Sequence, residues 1–344
     1  MNTKLFTLSQ EDTDHPALDE AAGILLEGGL VAFPTETVYG LGGDATRADA
    51  AQRIYAAKGR PSDNPLIIHV ADPEDASRYA HTNEIYDKLA RAFMPGPLTV
   101  ILPKREIIPD AVTGGLDSVA VRCPSHPLAR ALIRKAGVAI AAPSANLSGS
   151  PSPTSGEHVR RDLSGRIDAI IDGGPSEIGL ESTIIKLDGN HATLLRPGAI
   201  TADALLCVCE SVSISPTIKK ELAEGEKPLS PGMKYKHYAP SAPLVLIDGN
   251  EEDVLRFLQS AQKNEKCAIL CYGEEKPFLA DERLIAVGDR DDLSEQARNL
   301  FSALRLTEQM DCDIIYAHLP PEDGLGLALY NRLIRAAAHT VRRV

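Results

Sequence analysis

The sequence predicts two α/β domains in tandem, a first built on a mixed sheet and a smaller second with a doubly wound, Rossmann-like pattern. Three observations carry this. The 344 residues suffice for two cores at roughly 100–200 residues per domain. Short apolar runs alternate with amphipathic helical stretches twice, over residues 1–210 and again over 243–344. Between them, over 211–242, the apolar periodicity lapses into a stretch rich in Pro, Lys and Ser, read as a linker.

In the first domain, residues 5–8 and 29–34 read as strands around a helix at 15–27, and a second helix at 46–57 leads into the basic turn KGRPSDNP. LIIHV at 66–70 is a short buried strand. A helix at 83–92 stops at Pro-Gly-Pro before the strand at 98–102. A strand at 118–122, a helix at 126–136 and a strand at 138–142 follow, then a loop at 142–154 too rich in turn formers for either regular element. Strands at 167–174, 182–187 and 192–198 and a helix at 201–210 complete the domain. The second domain reads as strands at 244–247, 267–271, 284–287 and 313–317 with helices at 251–263, 291–310 and 324–340. Its first strand lacks the Gly-x-Gly-x-x-Gly turn of dinucleotide-binding folds.

Composition narrows the function classes. Hydrophobic residues at 43% and charged residues at 24% describe an ordinary globular chain. No apolar run approaches the ~20 residues that cross a bilayer, and the N-terminus lacks the basic start and apolar stretch of a signal peptide, so a cytoplasmic location is expected. Residues 1–200 hold 19 Lys/Arg against 25 Asp/Glu, net −6, leaving 17 against 23, again −6, for the remainder. That balance speaks against a nucleic-acid-binding domain, whose footprint is usually a net basic surface. The six cysteines form no CxxC pair and sit mostly in apolar segments, which reads as reduced core thiols.

Three segments can carry chemistry. In KGRPSDNPL (58–66), Lys58 and Arg60 stand two residues apart in a proline-stiffened turn with Asn64 before a buried strand, a pairing of point charge and planar fork suited to phosphate oxygens. A solvated basic loop accounts for the same residues. In APSANLSGSPSPT (142–154), Ser144, Asn146 and Ser152 follow the apolar strand ending at Ala142, where α/β folds place their ligand loops, although structural turns use the same residue types. In FPTETVYGLGGDA (33–45), a strand exits through Thr35, Glu36 and Thr37 into a Gly-rich bend. His69 is a lone strand histidine, as compatible with the core as with a ligand. No zinc-ligand spacing, nucleophile elbow or P-loop is present, which leaves a polyanion or nucleotide site of another type.

These segments, with MPGPLTVIL, SGSPSPT and the linker element SPGMKYKHYAP, occur in the order found in the Sua5/YrdC/YciO family, and the chain closely resembles its long, Sua5-type members along essentially its whole length. The resemblance implies a YrdC-like catalytic domain at 1–210, a linker acting as a lid at 211–242 and a Sua5-type domain at 243–344. It implies a threonylcarbamoyl-AMP synthase, which condenses L-threonine, bicarbonate and ATP to the adenylate and pyrophosphate as the first step of t6A tRNA modification. It places Lys58, Arg60, Asn64, Ser118, Ser144, Asn146, Ser152 and Arg196 on ATP, with Lys58 and Arg60 acting catalytically by electrostatics. Threonine falls to Thr35, His69, Arg122, Ala142 and Ser182. Tyr235 and Tyr238 of the linker are expected to contact ATP. Mg²⁺ is expected with the nucleotide, without a protein ligand the sequence identifies. The partners implied are ATP, L-threonine, bicarbonate and a downstream tRNA threonylcarbamoyl transferase, with tRNA met only indirectly and no membrane. A non-catalytic RNA-binding module is the competing reading, motivated by the basic turn and opposed by the acidic charge.

Overall fold

A computed structural model describes residues 2–219, 238–279 and 282–344. Chain contacts divide them into two compact units. Described residues up to 219, apart from Gly149–Pro151 and Ile178–Leu180, form the first; those two short segments and the residues from Tyr238 onward form the second.

The first unit contains strands β1 (Lys4–Thr7), β2 (Val31–Phe33), β3 (Gly40–Asp44), β4 (Ile67–His69), β5 (Leu98–Pro103), β6 (Ser118–Arg122), β7 (Ile140–Ala142), β8 (Ala169–Asp172), β9 (Thr183–Asp188), β10 (His191–Arg196) and β11 (Ser211–Ile214). Its helices are α1 (Pro16–Leu26), α2 (Ala48–Lys58), α3 (Glu84–Phe93), α4 (Asp110–Thr113), α5 (Pro127–Ala136), α6 (Gly156–Leu163) and α7 (Ala202–Leu206). The strands form one mixed sheet in the order β1-β8-β2-β3-β7-β4-β6-β5-β9-β10-β11. It combines parallel pairs such as β4 with β6 and antiparallel ones such as β5 with β6. Helices α1 and α5 cover one end of it, burying Leu18, Leu25, Leu128 and Leu132 against Phe33, Ile140 and Ile171.

Local sequence explains the ends that matter for the site. Asn83 caps α3 by accepting from the Tyr86 amide, and that helix closes ahead of Pro95. Helix α2 ends at Lys58 because Gly59 takes the left-handed conformation at φ +63°, with Pro61 soon after.

The structure departs from the sequence reading at several elements. The Gly-rich bend after Thr37 is strand β3, all five residues buried. A Cβ at Gly42 would lie 2.7 Å from Ile140 Cγ2 and 2.9 Å from a ring carbon of Phe33, so glycine here permits close packing rather than a turn. Helices α4 and α6 have no counterpart in the sequence pattern, the latter starting at the Ser155 cap just past the polar loop. The 211–242 stretch opens with strand β11, paired to β10. Cys207 is exposed at the end of α7 and Cys312 is half-buried, unlike the other four cysteines, so two of the thiols read as core are not.

The second unit holds β12 (Leu244–Asp248), α8 (Glu251–Asn264), β13 (Cys267–Cys271), β14 (Leu284–Ala286), α9 (Leu293–Thr307), β15 (Ile314–His318), α10 (Gly326–Ala336) and β16 (Val341–Arg343). Its five strands are all parallel, in the order β14-β13-β15-β12-β16. Among the described residues, no helix is long and apolar enough to cross a membrane.

Candidate functional site

The sheet register gathers residues that are far apart in sequence. His69 on β4 stands opposite Arg122 on β6, and Arg122 stands opposite Thr99 on β5. Residues paired across neighbouring strands share a face, so the three form one row. Thr99 extends the row through a 2.7 Å hydroxyl contact to Ser182, and Arg196 on β10 donates to Ser182 from both Nε (carbonyl, 2.9 Å) and Nη2 (hydroxyl, 3.1 Å). All five are buried.

Thr35 and Glu36, on the segment leaving β2, reach the middle of the row. Arg122 Nη2 donates to Glu36 Oε1 at 2.7 Å, with Thr35 Oγ1 at 3.5 Å. Thr35 is held in place, its hydroxyl donating to the Val38 carbonyl at 2.6 Å and accepting from the Thr37 and Val38 amides. The Arg122–Glu36 pair is almost wholly removed from water, with side-chain exposures of 5% and 4%. Such a pair is costly to break, about 3–5 kcal/mol when one partner is deleted, because the other is left charged and buried. Three buried atoms in this group have no hydrogen-bond partner: Arg122 Nε, Glu36 Oε2 and His69 Nδ1. Unmet buried polar atoms are rare in folded proteins, which makes this group a candidate ligand position.

Electrostatics fixes the state of the histidine. Burial, reinforced by the neighbouring Arg122 guanidinium, holds His69 down at about 3, so the ring is neutral at physiological pH and offers a hydrogen bond rather than a charge. The Phe33 ring meets it edge-on at 6.0 Å between centroids.

A second group forms where α2 meets the loop after β7. Lys58 Nζ donates to the Ser144 and Asn146 carbonyls at 2.5 Å each and to Asn146 Oδ1 at 3.3 Å. The Ser144 hydroxyl donates to Asn146 Oδ1, and the Ser148 amide returns to the Lys58 carbonyl at 2.9 Å. Arg60 folds over its own turn, with Nη2 on the Asn64 and Pro65 carbonyls at 3.3 and 3.2 Å. Asn64 is buried with Oδ1 unmet. Ala142, at the end of β7, is register partner of Ile67 at the start of β4.

The remaining predicted residues are placed as follows. Ser152 is buried and donates to Glu181 Oε1 at 2.5 Å, next to Ser182. Ser118 is half-buried at the start of β6, roughly 13 Å along the strand from Arg122. Tyr238 is buried with its ring on Phe301, 5.1 Å between centroids, in the second unit. Tyr235 lies outside the described residues, as do the other linker residues weighed for a lid, Lys234, Lys236 and His237. Sequence reasoning assigned no role to Glu36, Thr99 or Glu181; the available signal was a polar residue inside or directly beside an apolar strand.

A mixed α/β unit with buried cations gathered on one sheet, followed by a parallel α/β unit, is the architecture of a two-domain ligand-handling protein, and comparison with known proteins gives it a family. Residues 23–198 match the profile joining Sua5, YciO and YrdC, described as telomere recombination, and residues 200–338 match the profile described as threonylcarbamoyl-AMP synthase, C-terminal domain. The chain belongs to the Sua5/YrdC/YciO family. It is 45% identical over 351 residues to the threonylcarbamoyl-AMP synthase of Bacillus subtilis, covering 100% of both chains. It is 45% identical over 330 residues to that of Pyrococcus abyssi, covering 94% of this chain and 95% of the other. The crystal structure of P. abyssi Sua5 complexed with L-threonine superimposes with a TM-score of 0.91 at 42% identity, covering 100% of both chains.

Proposed function

We propose that this chain is a threonylcarbamoyl-AMP synthase, condensing L-threonine, bicarbonate and ATP to threonylcarbamoyl-AMP and pyrophosphate. The observation that supports it most is that Thr35, His69, Arg122 and Ser182, the side chains the resemblance gives to threonine, belong to one buried group on one sheet although 147 positions separate the first from the last. Asn64 stands at the other end of the β4 segment, no more than roughly 18 Å from His69 along the chain, and Arg60 is tied to it through the Asn64 carbonyl. Two polar groups at that spacing suit an elongated product with an amino acid at one end and a nucleotide at the other.

In this reading the threonine carboxylate lies on Arg122. The free amine attacks the carbon of bicarbonate, giving N-carboxythreonine and water. The new carboxylate attacks the α-phosphorus of ATP, and the bond to the β-phosphate oxygen breaks to release pyrophosphate. Neither step needs a nucleophilic side chain. Lys58 and Arg60 stabilise charge on the phosphates, with Ser118, Ser144, Asn146, Ser152 and Arg196 completing the nucleotide contacts, while Thr35, His69, Ala142 and Ser182 orient the amino acid. Mg²⁺ enters as part of the nucleotide substrate; among the described residues no cluster of three or more His, Cys, Asp or Glu could hold it. The product passes to a downstream tRNA threonylcarbamoyl transferase.

The test is pyrophosphate release from Mg-ATP by the purified protein, with threonine and bicarbonate each present or omitted and serine as control. Release that requires both supports the reading. Release indifferent to threonine shifts the amino acid, and no release combined with salt-sensitive RNA binding replaces the enzyme with an RNA-binding module.

A further inference from the structure

The resemblance gives Glu36 no role, yet its carboxylate sits in the middle of the threonine group. It is 3% exposed, and one oxygen, Oε1, accepts from Arg122 at 2.7 Å. The other, Oε2, is buried without a partner, as is Arg122 Nε in the same ion pair. An ion pair that served only to neutralise the arginine would gain from having its second oxygen satisfied by the protein, because a buried, unmet carboxylate oxygen is costly. Here one unmet acceptor and one unmet donor lie on opposite charges of the same pair. A zwitterion is the ligand that completes both, its carboxylate meeting the guanidinium and its ammonium meeting the carboxylate. Net charge in the site then stays zero before and after binding, which avoids burying an uncompensated charge.

We propose that Glu36 is a specificity-determining residue that binds the α-ammonium group of the amino acid through Oε2 while holding Arg122 through Oε1. The proposal rests on the reading above that Arg122 takes the carboxylate. It makes Glu36 the group that distinguishes an α-amino acid from its 2-hydroxy analogue, which presents the same carboxylate and side chain with a neutral hydroxyl in place of the ammonium.

The experiment is calorimetric titration of the full chain, without nucleotide, with L-threonine and with 2,3-dihydroxybutanoate, using the wild type, Glu36→Gln and Glu36→Asp. Glu36→Gln keeps the volume and removes the charge. The expected result is that it weakens threonine by about 10- to 100-fold, the range for a hydrogen bond between charged groups, and changes the deaminated analogue by less than about threefold. Glu36→Asp keeps the charge on a shorter arm and recovers part of the preference for threonine. If Glu36 only positioned Arg122, both ligands would weaken together in Glu36→Gln, because both place a carboxylate on that arginine; that result overturns the proposal and leaves the function standing. Unchanged threonine affinity in a folded Glu36→Gln overturns it as well. Should Glu36→Gln fail to fold, the ratio of the two affinities in Glu36→Asp against wild type decides, an unchanged ratio rejecting the proposal. A wild type that binds neither ligand would remove the threonine reading itself, and the proposal with it.

Discussion

Deleting Arg122 should harm the protein mainly through what it leaves behind. In Arg122→Met, Glu36 keeps its charge in a place where its side chain is 4% exposed, and the guanidinium that donates to its Oε1 is gone. Breaking a buried pair in this way costs about 3–5 kcal/mol. Removing both charges is different: Arg122→Met with Glu36→Leu replaces the pair with apolar groups of similar volume, a change that is often neutral, so the double variant should recover to within about 1–2 kcal/mol of wild type. The assay is urea unfolding followed by far-UV circular dichroism, since the chain has no tryptophan, fitted with one transition for each unit. Both variants should lose threonine-dependent pyrophosphate release, and wild type alone should gain about 2.7 kcal/mol from threonine at a hundred times its Kd. A double variant as unstable as the sum of its single changes would refute the account of a buried pair held by mutual neutralisation.

Other outcomes follow from the same geometry. His69 is neutral in the fold and held at about 3, whereas an unfolded histidine takes up a proton below about 6.5, so acidification from pH 7 to 5 should cost wild type about 2 kcal/mol that His69→Gln does not lose; equal slopes in urea titrations at the two pH values would contradict this. Lys58→Met should cut pyrophosphate release by at least about 100-fold while leaving threonine binding without nucleotide unchanged, and a parallel loss of threonine affinity would refute the division into two groups. Gly59, at φ +63° with nothing within 4 Å of an added Cβ, should accept alanine at about 1–2 kcal/mol, whereas Gly179→Ala, at φ +79° with a Cβ 2.5 Å from the Arg298 Cα, should cost the second unit several times more; thermal melts that rank the two the other way would contradict the steric argument.

The fold class was legible because apolar runs such as LIIHV and CAILC are short and bounded by turn formers, and strands β4 and β13 fall within those runs. Strand β3 was not, because its residues, GLGGD, lack the β-branched and apolar signal that marks strands. Its glycines answer to Phe33 and Ile140 on neighbouring strands, a constraint that exists only after the sheet has formed. Helix α6 was hidden for a related reason: GEHVRRDL carries only two large buried apolar residues, Val159 and Leu163, too few to show a helical period. In the candidate site, Lys58, Arg60, Ser144 and Asn146 could be picked out locally as charges and turn formers. Glu36 and Thr99 could not be assigned, because what singles them out is a partner 86 positions away in one case and 83 in the other.

That distance bears on how the chemistry is achieved. The row from His69 to Arg196 is spread over strands β4, β6, β5 and β10 and the residue before β9, and adjacent strands are spaced about 4.8 Å apart by their backbone hydrogen bonds. Side chains carried by one sheet are held more closely than side chains carried by loops, and their own hydrogen bonds narrow the remaining freedom, as Arg196 on both the carbonyl and hydroxyl of Ser182 illustrates. A reaction proposed to proceed without a side-chain nucleophile depends on such positioning, because effective concentration and fixed charge are its main sources of acceleration. Small shifts within the row should therefore lower kcat more than they raise KM for threonine. Thr99→Val supplies the shift with little change of volume, since it removes the 2.7 Å contact that links β5, the strand beside Arg122's, to Ser182 while keeping every side chain proposed to touch the amino acid. Steady-state rates of pyrophosphate release should show the drop in kcat; a change confined to KM would assign the Thr99–Ser182 link to binding alone.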